Sequence, residues 1–247
     1  MKIAVISDIH GNMEALEAVI KDIESEGCEK IFVLGDYAMA GPEPDNAINW
    51  FMQKENDPRF EMIQGNTDLM IADYSEKVYQ NVKEKAPVMA EALKNDFWLI
   101  NPIQRNFLKN LPAQKELEIE GVKILLVHGS PRRNNEDILP DLTLAQVEEI
   151  IKDTTADVIL CGHTHMPCGF QTSKKQTVVN AGSIGRPFTA EPKSCYLKMT
   201  VTNGNCIFEH KFVEYNNETA ALKLRKRNFV GSNKLANTLL DPQIRHF

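Results

Sequence analysis

Residues 2–11 read KIAVISDIHG, and this stretch decides the fold. Its apolar run at 3–6 predicts a buried strand, which stops at the polar residues Asp8 and His10. The following segment, 12–27, places its apolar residues on one helical stripe and offers Asn12 as the N-cap. A buried strand followed directly by an amphipathic helix is typical of a βαβ unit, so we predict a parallel sheet.

The same alternation continues to residue 68. KIFVLGD at 30–36 predicts a second buried strand, PDNAINWFMQK at 44–54 a helix, and FEMIQGNTD at 60–68 a third strand. Such a β-α-β-α-β order predicts an α/β fold whose parallel strands are joined by right-handed crossovers.

The remaining chain adds helices and hairpins. Residues 69–100 predict a long helical stretch, breakable at Pro87, and the helical segment 69–110 is expected to flank a cleft. KELEIE at 115–120 and VKILLVHG at 122–129 predict a hairpin across Gly121, and residues 156–161 predict another buried strand. Asn203-Gly204 marks a late hairpin. We therefore predict one domain over 1–230 with two sheets and a loosely held tail over 231–247. Phe97 and Trp98 are expected in the core.

Composition excludes several classes of protein. The chain has 247 residues, 43% of them hydrophobic and 25% charged, which is typical of a packed globular protein. No apolar run is long enough to cross a membrane, and the N-terminus lacks the pattern of a signal peptide. Five scattered cysteines suit a reducing compartment, so we expect a cytoplasmic protein. The oligomeric state is not indicated.

Net charge argues against general binding to nucleic acid or to anionic membranes. The formal charge is −6 and the pI about 5.6. The one basic run, KLRKR at 223–227, is interpreted as a solvated helix face.

Polar residues with metal-binding side chains follow the predicted strands. Four of the six histidines belong to this set. Each residue alone has an ordinary structural explanation, but strand ends of an α/β sheet meet at one edge, so the whole set can converge. The set comprises Asp8, His10, Asp36, Asn66, His128, His163 and His165.

The chemistry of this set points to a divalent metal. Imidazole and carboxylate ligands with one amide oxygen suit first-row ions better than Ca²⁺ or Mg²⁺. Seven ligands are too many for one tetrahedral ion but fit two ions that share a bridging carboxylate. Two such ions can activate a water and neutralise a phosphoryl oxygen.

The ordered motifs DIH, GD, GNTD, VHG and GHTH resemble those of the calcineurin-like metallophosphoesterase superfamily. NAGSIGRP at 180–187 and GPEPDN at 41–46 add resemblance to its small bacterial and archaeal phosphodiesterase branch. The resemblance implies a four-layer αββα sandwich of two mixed sheets, with two metal ions at the edge between them.

The resemblance also implies roles for the set. Asp36, Asn66 and His128 would be catalytic, and Asp36 would bridge the ions together with a water or hydroxide that attacks phosphorus. Mn²⁺ is the first candidate, with Fe, Zn or Ni as alternatives. By similarity, one ion would be held by Asp8, His10, Asp36 and His165, and the other by Asp36, Asn66, His128 and His163.

Thr67 departs from the family pattern. Many members carry a histidine there, which protonates the leaving group, and a threonine hydroxyl is a poor acid near neutral pH. The expected substrates are therefore small nucleotide-like phosphates with good leaving groups, such as diadenosine tetraphosphate or nucleotide-type phosphodiesters. The candidates for substrate contact are Arg186, Arg132 and Thr67. For the two arginines the reason is that a guanidinium binds phosphate oxygens bidentately.

Two other functions remain open. The missing histidine at Thr67 is also compatible with a metal-binding scaffold that has lost most of its activity. A phosphomonoesterase is the other alternative, although Thr67 argues against it.

Overall fold

The computed structural model describes residues 1–242, and within them the strands form two mixed five-stranded sheets. The first sheet has the spatial order β10 (Asn205–Val213), β9 (Ser194–Thr202), β1 (Lys2–Ile6), β2 (Lys30–Val33) and β3 (Phe60–Met62). The second sheet has the order β4 (Gln114–Ile119), β5 (Val122–Val127), β6 (Val158–Cys161), β8 (Thr177–Asn180) and β7 (Cys168–Gln171). In the first sheet β1, β2 and β3 are parallel, and β9 pairs antiparallel with both β1 and β10. In the second sheet β5, β6 and β8 are parallel, and β4 and β7 flank them as antiparallel edge strands.

Strand β1 shows why the two sheets stack. Successive side chains of a strand point to opposite faces. Ile3 and Val5 pack into the apolar cluster between the sheets, which includes Leu160 of the second sheet. Ala4 and Ile6 pack on the other face against the helices. Because both faces of β1 are buried, its sequence is a continuous apolar run rather than an alternating one.

Helices cover both outer faces and complete the four-layer αββα arrangement. The prediction of this fold is confirmed. The second sheet is covered by α7 (Leu144–Ile150). The helices on the side of the first sheet are α1 (Met13–Ser25), α2 (Pro44–Met52), α3 (Asn66–Ala72), α4 (Glu76–Lys85), α5 (Pro87–Leu99), α6 (Pro102–Asn110), α8 (Asn217–Lys226) and α9 (Ser232–Leu240). Within residues 1–242, none of the helices combines the length and apolar character needed to span a bilayer.

The stretch predicted as one long helix at 69–100 is divided twice. Helix α4 has its own N-cap, because the Ser75 side chain accepts a hydrogen bond from the Val78 amide. Helix α5 starts at Pro87, a residue that fits the first turn, where no amide donor is needed. The core position predicted for Trp98 is wrong, since this side chain is 74% exposed, whereas Phe97 is half-buried and stacks on Tyr74.

Two predictions about the C-terminal part are wrong. The tail expected to be loosely held contains α9, whose Leu235 and Leu239 lie one helical turn apart and are buried against α8. Residues 243–247 of that predicted tail lie outside the described residues. The basic run is not a wholly solvated face either, because the Arg227 side chain is only 8% exposed and pairs with Asp96.

Candidate metal centre

The seven predicted ligands follow the carboxyl ends of strands from both sheets. Asp8 and His10 follow β1, Asp36 follows β2, and Asn66 lies just beyond β3. His128 follows β5, and the segment after β6 contributes 163 and 165. The structure thus brings residues far apart in sequence to one edge between the sheets, as expected for an α/β fold.

One group of side chains gathers around His10 and His165. Their Nε2 atoms are 3.2 Å apart, and His165 Nε2 lies 3.2 Å from Asp8 Oδ1. Each Nδ1 atom instead meets a backbone carbonyl, that of Met39 for His10 at 2.8 Å and that of Arg186 for His165 at 2.6 Å. A neutral ring that donates from Nδ1 leaves Nε2 as an acceptor, which is the arrangement of a metal-binding histidine.

A second group gathers around His128. Its Nε2 atom lies 2.9 Å from Asn66 Oδ1 and 3.4 Å from Asp36 Oδ1, while its Nδ1 contacts the Leu34 carbonyl at 2.7 Å. The other Asp36 oxygen is 3.7 Å from His10 Nε2, so this carboxylate lies between the two groups.

His163 lies at the rim of the centre. Its ring packs edge-on against His128, with centroids 5.3 Å apart, and its Nε2 is 3.3 Å from Asp137 Oδ1. The side chain is 19% exposed, whereas that of His128 is fully buried. His163 is thus the most accessible of the predicted histidine ligands.

The donor set and its burial fit a cation. The Asp8 side chain is fully buried, and its Oδ1 has no hydrogen-bond partner in the part of the chain that the structure describes. Burying a charged carboxylate oxygen without a donor is costly, so the site favours a positive charge near Oδ1. Two combinations of side chains could each hold an ion, namely Asp8 with His10 and His165, and Asp8 with Asp36 and His128.

The pKa values of the site residues reflect their burial and the charges of their neighbours. Burial and the neighbouring His165 ring lower the pKa of His10 to about 4. Burial also disfavours the charged form of His128, but Asp36 and Asp8 outweigh it and raise its pKa to about 10. Burial alone would raise the pKa of Asp8, but the surrounding histidines hold it well below its usual range. The Asp8 carboxylate is therefore ionised and attracts a cation.

Several of the predicted metal ligands have an unusual backbone conformation. Residues with side chains rarely adopt a positive φ, and such conformations cluster at functional sites. The positive φ angles among the predicted ligands are 56° at Asp8, 48° at His10, 56° at Asp36, 68° at His163 and 60° at His165. The loop after Asp36 continues the strain, with φ of 83° at Met39 and 63° at Ala40.

Asp68 supports the Asp36 loop. Its Oδ2 accepts hydrogen bonds from the amides of Asp36 and Gly65, both at 2.8 Å, and its Oδ1 accepts one from Tyr37 at 3.0 Å. Burial and the nearby Asp36 carboxylate raise the pKa of Asp68 to about 7, against the three donors that stabilise the ionised form. Gly65 permits the close approach, because a Cβ there would lie 2.1 Å from Asp36 Oδ1.

A buried ion pair supports the strained turn at 39–41. Asp96 is fully buried, pairs with Arg227 and accepts a hydrogen bond from the Ala40 amide at 2.9 Å. Arg227 also donates to the Gly41 carbonyl at 2.8 Å. The Met39 carbonyl, in the same turn, contacts the ring of the predicted ligand His10. The Asp96–Arg227 ion pair therefore helps to hold this carbonyl in place. Nothing in the sequence around 96 or 227 indicated this role.

The three residues predicted to contact substrate differ in placement. Arg186 is 5% exposed, lines the cleft, and has a pKa that burial lowers to about 10, so it stays charged at neutral pH. Thr67 also lines the cleft, but its hydroxyl donates to the Ala38 carbonyl at 3.1 Å. Arg132 is bound to Glu136 instead and does not line the cleft.

The cleft of about 260 Å³ pairs the polar centre with an apolar wall. The wall is formed by Met39 and by residues of the helices α3 to α5, namely Met70, Val82 and Met89. Methionine side chains are flexible and polarisable, so this wall can adapt to the apolar part of a ligand.

Comparisons with known proteins agree with the fold and the motifs. The calcineurin-like phosphoesterase superfamily domain matches residues 1–204. An uncharacterised protein of Methanocaldococcus jannaschii is 29% identical over 229 residues, which cover 85% of this chain and 83% of that protein. The crystal structure of a hypothetical protein from Pyrococcus horikoshii OT3 has a TM-score of 0.83 at 25% identity, with 97% of each chain covered.

A metallophosphoesterase from Sphaerobacter thermophilus also has the same fold. Its TM-score is 0.75 at 21% identity, with 97% of this chain and 98% of that chain covered. Since the family domain spans most of the sequence and the ordered motifs occur within it, the chain belongs to the calcineurin-like phosphoesterase superfamily.

Proposed function

We propose that the protein is a dinuclear metal-dependent phosphoesterase that cleaves phosphodiester or phosphoanhydride bonds with good leaving groups. Its substrates would be dinucleoside polyphosphates, such as diadenosine tetraphosphate, or nucleotide-type phosphodiesters. The observation that carries the proposal is the buried Asp8 carboxylate, whose Oδ1 faces the Nε2 atoms of three histidines at 3.2–3.9 Å. Its Oδ2 accepts a hydrogen bond from the His163 amide at 2.9 Å, so the buried Oδ1 is the oxygen available to a metal ion.

The donor set supports two first-row ions. Mn²⁺ is the first candidate, with Fe, Zn or Ni as alternatives. When bound, such a pair supplies a water nucleophile at neutral pH and neutralises charge on the phosphoryl oxygens. We propose that one ion is held by Asp8, His10, Asp36 and His165, and the other by Asp36, Asn66, His128 and His163.

Arg186 is the proposed phosphate-binding side chain. It is buried at the cleft, remains charged, and its backbone carbonyl fixes the His165 ring. A guanidinium in this position can hold two oxygens of one phosphate in a fixed orientation. It would therefore orient the reacting phosphate relative to the predicted ligands.

Thr67 restricts the leaving group. Its hydroxyl is engaged with the Ala38 carbonyl, and its amide donates to Asp36 Oδ1 at 2.9 Å. The residue thus positions Asp36 and supplies no proton at neutral pH. Bonds whose leaving oxygen needs no protonation would react fastest, which favours nucleotide leaving groups over alkoxides.

The test compares three substrates with the Mn²⁺-loaded protein. We expect turnover of bis(p-nitrophenyl) phosphate and diadenosine tetraphosphate, and little turnover of phosphoserine. Equal rates on all three would contradict the leaving-group argument. Metal analysis of the purified protein completes the test, because a metal-loaded protein without turnover of any substrate would favour the scaffold function instead.

The proposed cellular setting is the cytoplasm. All five cysteines are free thiols in the structure, which suits a reducing compartment. The proposed partners are small phosphorylated molecules.

A further inference from the structure

We propose that the apolar cavity beside the candidate metal centre binds the nucleobase of a nucleotide substrate. The inference rests on the proposed function and narrows its substrate class to nucleosidyl phosphates. It concerns a cavity distinct from the cleft that contains the predicted metal ligands.

The cavity is large enough for such a group. Its volume is about 560 Å³, within the range of ~300–1,000 Å³ typical of small-molecule sites. Its lining includes Met166, Pro167, Phe188 and the aromatic ring of Phe212 on β10. Ala190 lies on the same surface.

Phe188 connects this cavity to the centre. It lines both the cavity and the metal-binding cleft, and its ring stacks on His165 with centroids 4.8 Å apart and an interplanar angle of 23°. Met166 follows His165 directly in sequence. The cavity and the cleft thus share Phe188, whose ring contacts a predicted metal ligand, so one molecule can reach both places.

The lining suits a flat aromatic group with polar edges. Two aromatic side chains, Phe188 and Phe212, are among the lining residues, and stacking on aromatic rings is how proteins bind bases without sequence preference. Lys193 and Glu191 also line the cavity and pair at 2.8 Å, so hydrogen-bonding groups are available at its polar part. A simple alkyl chain would make no use of these polar groups.

The experiment measures binding of AMP and ribose 5-phosphate to the Mn²⁺-loaded full chain by calorimetry. The two ligands share the phosphate and the ribose and differ only in the base. We expect AMP to bind about tenfold tighter or more, as the stacking of one base allows. Equal affinities would overturn the proposal, and so would hexyl phosphate binding as tightly as AMP.

Two variants locate the effect. Phe212→Ala should remove most of the difference between AMP and ribose 5-phosphate, and Ala190→Trp should do the same by filling the cavity. Phe212 is 51% exposed, so its truncation does not threaten the fold. The matched control is Ile207→Ala, which removes another exposed apolar side chain of β10 outside the cavity. A preference for AMP that survives both cavity variants would overturn the assignment.

Binding of AMP and hydrolysis of bis(p-nitrophenyl) phosphate test the two proposals separately. Hydrolysis with no preference for AMP would refute the nucleobase site and leave the phosphoesterase proposal intact. A base preference that depends on Phe212, without any hydrolysis, would refute the proposed function but support the cavity as a base-binding site.

Discussion

The two halves of the candidate centre are supported by different chemistry. In the half from the first sheet, buried carboxylates hold the ligand loops, with Asp68 on the Asp36 loop and Asp96 with Arg227 on the turn after it. In the half from the second sheet, a neutral amide does this work. Asn180 donates to the Gly162 carbonyl at 2.6 Å and to Thr164 Oγ1 at 3.0 Å. Both acceptors lie on the loop that carries His163 and His165.

The difference predicts how each half tolerates change. Removing one partner from a buried charged network leaves an uncompensated charge and costs several kcal/mol. Loss of a neutral hydrogen bond costs less, about 1–3 kcal/mol where a buried group is left unpaired. We therefore expect the first-sheet half to fail sharply on mutation and the second-sheet half to weaken gradually.

The largest expected effect is the loss of activity when a predicted metal ligand is removed from either half. Asp36→Asn and His128→Ala should each lower kcat/KM for bis(p-nitrophenyl) phosphate by more than ~100-fold, because several kcal/mol of charge stabilisation at the phosphate is lost. The exposed acid Asp73 provides a control, and Asp73→Asn should retain the wild-type rate. If either ligand variant kept more than half of the activity, that residue would not belong to the centre.

The next effect concerns the buried ion pair. Asp96→Asn leaves Arg227 buried beside a neutral group, and we expect the free energy of unfolding to fall by about 3–5 kcal/mol in urea titrations. Arg227→Gln should destabilise similarly, and the double variant should lose less than the sum because the two residues share one interaction. Additive losses would show that the pair does not act as a unit.

This ion pair also shows the limit of prediction from sequence. Strand order, the αββα layers and the convergence of strand ends follow from apolar periodicity and from motifs with fixed spacing, so the fold could be predicted. The partner of Arg227 could not, because Asp96 lies 131 residues away and only the packing of α8 against the rest brings them together. A basic run by itself is compatible with either a solvated or a buried arginine.

Asp68 illustrates the intermediate case. It belongs to the GNTD motif, but the sequence alone assigns it no role. Its partners are backbone amides of the neighbouring loop, and no side-chain pattern encodes them. The cavity lined by Phe188 and Phe212 could not be predicted either, because residues from separate strands and loops enclose it.

A third prediction compares Asp68 directly with its neutral counterpart. Asp68→Asn replaces one acceptor oxygen by an amide group that faces backbone N–H donors, and should cost about 2–3 kcal/mol. Asn180→Ala should cost about 1–2 kcal/mol. Chemical denaturation of both variants tests the order, and a larger loss for Asn180→Ala would reverse the comparison between the two halves.

The smallest effect is a pH dependence in the neutral half. His210 Nε2 lies 2.7 Å from the Asn180 carbonyl, and burial lowers the pKa of His210 below its usual value of 6.5. The unfolded chain therefore binds more protons than the folded chain just below pH 6.5, so His210 destabilises the fold as the pH falls. The slope is bounded by one proton, which is less than about 1.4 kcal/mol per pH unit.

Urea titrations of wild type and His210→Gln at pH 7.5 and 5.5 isolate this term. Both proteins are kept metal-free, so that the predicted ligand histidines contribute equally to each. We expect the wild type to lose more stability than His210→Gln between the two pH values, because only the wild type takes up the additional proton on unfolding. An equal loss in both proteins would mean that the support of Asn180 is independent of pH.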